Sequence, residues 1–256
     1  MQATLESLNV LLAQTPGALT IESITQYLFW VSTVAMGAGA VFFLAERRNV
    51  PAEYSSVLTV SALICGIACF HYFRMSETYA GGSFPTEYRY IDWIITTPLL
   101  LIKFPLLLNL GKKASGIFAS LVLLDVGMIV TAYIAEVSSV GGGQWWTFFL
   151  IACAFEAGIV GVLYIKMSKT IDEAPAPIAQ SAKRMRLFVL IGWAIYPIGF
   201  LMALSGETGG SLREIFYNVA DVVNKVGFGL VAYAGVKALT KVKGVEGQAA
   251  ATTATP

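Results

Sequence analysis

Seven runs of this chain are apolar for long enough to cross a lipid bilayer: roughly 24–45, 54–74, 88–109, 115–137, 145–166, 185–204 and 214–238. A hydrocarbon core about 30 Å thick takes ~20 residues of helix. No water reaches the backbone there, so each run has to satisfy its own N–H and C=O groups as a helix. Of the 256 residues, 56% are hydrophobic and only 13% charged, and the mean hydropathy is +0.69. The pattern predicts an all-α, multi-pass membrane protein of seven transmembrane helices.

Basic residues set the orientation. In a seven-span arrangement Arg47, Arg48, Lys112, Lys113, Lys166, Lys169, Lys183, Arg184, Arg186, Lys237, Lys241 and Lys243 all fall on one side, which the positive-inside rule makes the cytoplasm. Arg74 and Arg213 lie toward the other side. The N terminus is therefore expected outside and the C terminus in the cytoplasm. Three parts follow: an extracellular N-terminal segment 1–23, a seven-helix domain 24–240, and a disordered cytoplasmic tail 241–256, rich in Ala and Thr. Residues 1–20 hold no Lys or Arg, so the first span is expected to act as its own insertion signal. The Glu173-Ala174-Pro175-Ala176-Pro177 stretch reads as an extended connector. Cys65, Cys69 and Cys153 fall inside spans with no metal-ligand spacing, and no disulfide is expected. No phosphate-binding loop or zinc spacing occurs, and neither nucleotide-driven transport nor a nucleic-acid partner is expected.

What remains informative is polar. Lys225 lies within the seventh run, four residues after Asp221, and a charge at that depth costs roughly 3 kcal/mol on insertion scales. An amine in an apolar pocket can condense with an aldehyde, and a carboxylate one turn away can stabilise the protonated imine. The plain alternative is a buried ion pair within one helix. On the third run Arg89, Asp92, Thr96 and Lys103 are spaced by three, four and seven residues, which puts them on one helical face. At 1.5 Å per residue Asp92 and Lys103 stand about 16 Å apart along the axis, a track a proton could follow with a hub between.

Three motifs together resemble the microbial (type I) rhodopsins, of the proteorhodopsin-like kind, across all seven spans. They are Arg89-Tyr90-Ile91-Asp92-Trp93 with Thr96-Thr97-Pro98, Trp193-Ala194-Ile195-Tyr196-Pro197, and Asp221-Val222-Val223-Asn224-Lys225. The resemblance implies all-trans retinal held on Lys225 as a protonated Schiff base, with Asp92 as counterion and proton acceptor and Asp221 as second counterion. It implies a pocket of Trp93, Thr97, Leu100, Met128, Trp193, Tyr196, Pro197 and Phe200. His71 is expected to pair with Asp92, although a lone histidine is more often a packing residue. Arg89 is expected on the outer side of the counterions, its plain role being a helix-end anchor. Glu87, Glu207 and Glu214 lie near the outer face with no assignable release role. Asp125 resembles a family carboxyl near the ring end of retinal, expected neutral and hydrogen-bonded. Glu156, mid-way along the fifth run, has no partner readable from the sequence.

Lys103 departs from the common proton pumps, which carry a carboxylic acid there. The substitution resembles the small branch typified by Exiguobacterium rhodopsin, as do Pro85-Thr86-Glu87 and the residues around Lys103 and Met185–Trp193. A buried amine can start neutral, take up a proton from the cytoplasm and pass it inward; a snorkelling surface lysine is the alternative. The Asp92, Thr96, Lys103 triplet favours protons over chloride or sodium. The implied function is a light-driven outward proton pump, a transporter rather than an enzyme, in a bacterial plasma membrane. A sensory photoreceptor with a partner protein is the rival, and a cofactor-free structural protein a distant third. Leu100 points by analogy to green absorption. A homo-oligomer is expected. A carotenoid antenna stays open, although Trp145 and Trp146 would close the gap it needs.

Overall fold

The computed structural model describes residues 20–111 and 115–253, with side chains through Lys243. The expectations about residues 1–19, Lys112, Lys113 and the last three residues lie outside the described residues. Every described regular element is helical. The spans are α1 (Ile21–Glu46), α2 (Ala52–Ala80), α3 (Thr86–Leu107), α4 (Ser115–Glu136) and α5 (Gly143–Gly161, prolonged by a π-helical turn Val162–Lys166). After a one-turn helix Ser168–Asp172 come α6 and α7. Each is broken by a π-helical turn: α6 runs Ala176–Leu187, Phe188–Gly192 and Ile195–Leu201, and α7 runs Gly206–Val222, Val223–Gly227 and Phe228–Thr253.

The last helical run long and apolar enough to cross a membrane extends from Ala176 to Lys243, 68 residues, far beyond the ~20 that one crossing needs. Gly206 divides it into two antiparallel spans. Its φ of 71° and ψ of −154° lie in a region open essentially to glycine alone. The sixth span therefore begins at Ala176 rather than near 185, and the seventh at Gly206 rather than near 214. The expected extended connector shrinks to a short break around Pro175, because Pro177 sits in the first turn of α6, where a missing N–H costs nothing. Lys183 hydrogen-bonds Asp172 across that break at 2.6 Å, and this bond and charge hold the Asp172 carboxyl below its usual range. In the tail expected to be irregular from 241, helical backbone continues to Thr253. An existing helix propagates without a new nucleation cost, and Ala249–Ala251 favour it.

Burial decides which helix is central. Along α3, 61% of the most apolar window is buried, against 28% for α1, 17% for α4 and 22% for α5. The peripheral helices bury one stripe, such as Ile21, Thr25, Phe29, Ser32, Met36, Gly39 and Phe43 on α1, at the three-to-four spacing of a single face. Their remaining apolar side chains, among them Val34, Val41, Leu123, Leu150 and Ile165, point outward, as lipid-facing residues must. The helices pack in a ring, α1 on α2, α2 on α3, α3 on α4, α4 on α5, and α7 on both α6 and α1. Between α5 and α6, Phe200 stacks on Trp145 at 4.5 Å and on Phe149 at 4.9 Å, while Arg186 donates to Ser168 Oγ and to the Leu163 carbonyl.

Cys65, Cys69 and Cys153 are free thiols. Replacing Gly206 by valine forces a side chain into its glycine-only conformation and is expected to cost about 2 kcal/mol. The thermal unfolding midpoint of the purified protein in detergent should fall by several degrees; an unchanged midpoint would mean the turn relaxes freely.

Candidate functional site

Lys225 sits on the π-helical turn of α7, whose wider winding aims its side chain across the bundle. Its Nζ lies 2.7 Å from Asp92 Oδ2 on α3 and 2.5 Å from Asp221 Oδ2 one turn back on α7. All three side chains are buried, Asp92 and Asp221 completely. The intrahelical pair read from sequence is thus half of a two-helix arrangement, which a lone ion pair would not need. Asp221 is held from its other side by Tyr196 OH at 2.6 Å and by Trp93 Nε1 at 3.2 Å. Asn224 donates to the Gly192 carbonyl at 3.0 Å, tying the π turns of α6 and α7 together.

Lys225 and Asp221 stand in the wall of a largely apolar cavity, the usual setting of a small-molecule site. Trp93, Thr97, Leu100, Met128, Trp193, Tyr196, Pro197 and Phe200 all line it, so every pocket residue named from the sequence meets here. Tyr90, Ile129, Ala132, Phe149, Ala152, Cys153, Glu156 and Tyr217 also line it and were not foreseen as walls. Apolar walls that include an amine held by two carboxylates fit a long, apolar aldehyde such as retinal. Thr97 Oγ1 is 2.8 Å from both the Trp93 carbonyl and Asp125 Oδ2.

Arg89 lies one turn before Asp92 on α3 and is anchored three ways. It donates to Glu214, to Asn218 Oδ1 at 3.0 Å and to Tyr72 OH at 3.1 Å. Arg213 in turn pairs with Glu214 and with Glu136 of α4. These four charged groups are buried and alternate in sign along the chain of contacts. Glu87 and Glu207, grouped with Glu214 in the sequence reading, are exposed. Glu136 was missed, because a glutamate at a helix end reads as solvated until its partner from α7 is known.

His71 Nδ1 stands 3.4 Å from Asp92 Oδ1 and 3.1 Å from the Ile67 carbonyl, so one ring nitrogen faces both. Asp92 Oδ1 has no hydrogen bond. Thr96 donates to the Asp92 carbonyl at 2.8 Å. Lys103 is wholly buried, which removes the snorkelling alternative. Its Nζ has no hydrogen-bond partner and lies 4.6 Å over the Phe228 ring, which packs against Phe104 and Phe188.

The buried ladder generates a stability contrast. Glu214→Leu leaves Arg89 and Arg213 without their shared acid and is expected to cost about 3 kcal/mol or more. Glu207→Leu, at an exposed site, should stay within about 0.5 kcal/mol. Parallel thermal melts check this, and equal melts for the two variants would refute the ladder as a structural element.

The model of the bacteriorhodopsin-like protein family matches residues 23–239. A green-light absorbing proteorhodopsin from Gamma-proteobacterium EBAC31A08 is 36% identical over 222 residues, 85% of this chain and 88% of that protein. The crystal structure of Exiguobacterium sibiricum rhodopsin superimposes with a TM-score of 0.80 at 46% identity, covering 86% of this chain and 98% of the other. Xanthorhodopsin, described as a light-driven ion pump with dual chromophore, gives 0.79 at 29% identity, over 88% and 96% of the two chains. With the buried lysine, its two carboxylates and the aromatic cavity joined to these likenesses, the chain belongs to the bacteriorhodopsin-like family, as a microbial rhodopsin of proteorhodopsin type.

Proposed function

We propose that the protein is a light-driven pump that carries protons outward across a bacterial plasma membrane, with all-trans retinal joined to Lys225. The observation that carries this reading is the Lys225 nitrogen seated between Asp92 and Asp221 in the wall of an apolar cavity. Lys225 would hold retinal as a protonated Schiff base, and the bound group would supply light absorption and isomerisation.

The protein's own groups do the rest. Asp92 Oδ2, 2.7 Å from the Lys225 nitrogen, accepts its proton; Asp221, fixed by Tyr196 and Trp93, stays as the standing negative charge. His71, within 3.4 Å of the other Asp92 oxygen, faces the acceptor from α2 as its partner. Arg89 holds positive charge on the outer side, and a shift of its side chain toward Asp92 or Glu214 biases where the proton rests. Thr96 fixes the backbone at Asp92 through its hydroxyl. On the cytoplasmic side Lys103 has no acid beside it and no hydrogen bond. An amine so placed is cheapest neutral, ready to take a proton from the cytoplasm and hand it to the Lys225 nitrogen.

The distribution of Lys and Arg supports an outside N terminus and hence outward transport. The sensory alternative uses the same photochemistry but gains nothing from a buried amine at position 103. Trp145 is buried in the Phe200 stack while Trp146 is partly exposed, a closed wall that favours retinal as sole chromophore. A homo-oligomer is the expected assembly.

Illuminated cells carrying the chain with retinal, in unbuffered suspension, should acidify the medium, and a protonophore should abolish the signal. Coloured, inserted protein that leaves the pH unchanged would refute the pump. Lys103→Ala should slow reprotonation of the Lys225 nitrogen about 100-fold, the scale of a lost proton-transfer group. Flash-induced absorption recovery reads this rate, and wild-type recovery in the variant would remove Lys103 from the path.

A further inference from the structure

Glu156 is the one carboxyl in the cavity wall that the proposed proton path leaves unused. It lies thirteen residues into α5, about 20 Å along that helix. It lines the same cavity as Lys225 and has no hydrogen-bond or ion-pair partner among the described residues. α5 packs chiefly on α4, whereas α7, which carries Lys225, packs on α1, α2 and α6. Glu156 and Lys225 therefore line the cavity from helices that are not neighbours in the ring. A polyene aldehyde fastened to Lys225 has to direct its ring toward α4 and α5.

The walls at that end combine space with one polar group. Ala132 and Ala152 are small, and Cys153, a weak hydrogen-bonding partner at best, lies one turn from Glu156. A plain hydrocarbon ring would fill this end and leave the carboxyl facing carbon, which is costly for an acid in either state. A hydroxyl on the ring meets the carboxyl whatever its protonation, donating to a carboxylate or accepting from a carboxylic acid. A keto group satisfies only the acid form.

We propose that Glu156 is a specificity-determining residue that recognises a hydroxyl on the ring of the bound chromophore, so that the cavity prefers a ring-hydroxylated retinal to retinal itself. The proposal rests on the reading that Lys225 binds a retinal.

The test is a competition. The retinal-free protein in membranes is offered equal amounts of all-trans retinal and all-trans 3-hydroxyretinal. After washing, hydroxylamine releases the bound aldehydes, whose ratio is measured by chromatography. One net hydrogen bond corresponds to a preference of about fivefold for the hydroxylated form. Glu156→Leu should bring the ratio to about one or below, and Glu156→Gln, whose amide still donates and accepts, should keep most of the preference. Uptake of plain retinal by each variant reports that it is folded. Equal uptake of the two aldehydes by the wild type, or a preference that survives Glu156→Leu, overturns the assignment and leaves Glu156 to a protomer contact. Failure of the wild type to take up either aldehyde overturns the retinal reading and this inference together.

Discussion

The contact on which the rest of the structure depends is the Lys225 amine between the carboxylates of Asp92 and Asp221. Neither the amine nor either acid could be buried alone, since an unpaired charge in a dry interior costs several kcal/mol. Together they are held by four helices: α7 supplies Lys225 and Asp221, α3 supplies Asp92 and Trp93, α6 supplies Tyr196, and α2 brings His71 to the far oxygen of Asp92. Moving one of these helices by an ångström would strand a charge, so the cluster also fixes how the helices stand around it.

The two sides of the cluster differ in kind. On one side Arg89, Glu214, Arg213 and Glu136 form a chain of alternating charges, through which a proton or an arginine side chain can change partners. On the other, Lys103 lies over the Phe228 ring, which packs against Phe104 and Phe188, and its nitrogen has no hydrogen-bond partner. That asymmetry is what a directional device requires, because a group that loses its proton on one side and regains it from the other needs unequal connections.

Backbone irregularities place the side chains. The π-helical turn at Val223–Gly227 carries Lys225, the matching turn at Phe188–Gly192 leads directly into Trp193, and Asn224 bonds across from one turn to the other. A regular helix would rotate the lysine away from Asp92. These turns could not be read from hydropathy, since an i→i+5 turn changes the winding without changing the composition. The same holds for the division of Ala176–Lys243, which depends on one glycine dihedral.

Much of the site was legible before the fold was known, for a physical reason. Lipid penalises every polar group, so those present in a span are few and selected, and Lys225, Asp221, Asp92, Arg89 and Lys103 stood out individually. Spacing along one helix gave the Asp92 face of α3 and the Asp221–Lys225 pair. Spacing says nothing of what a neighbouring helix brings, which is why Glu136 was missed and Glu156 had no place. By itself, then, the sequence determined the membrane class, the number of spans and the buried charges that stand out in them, because hydropathy and helical periodicity are local properties; the pairing of Lys225 with both Asp92 and Asp221 came from the family resemblance. Only the tertiary structure decided how close Asp92 and Asp221 come to one nitrogen, that Arg213 bridges Glu214 to Glu136, and that Glu156 lines the same cavity as Lys225, because each joins side chains that approach only when separate helices pack.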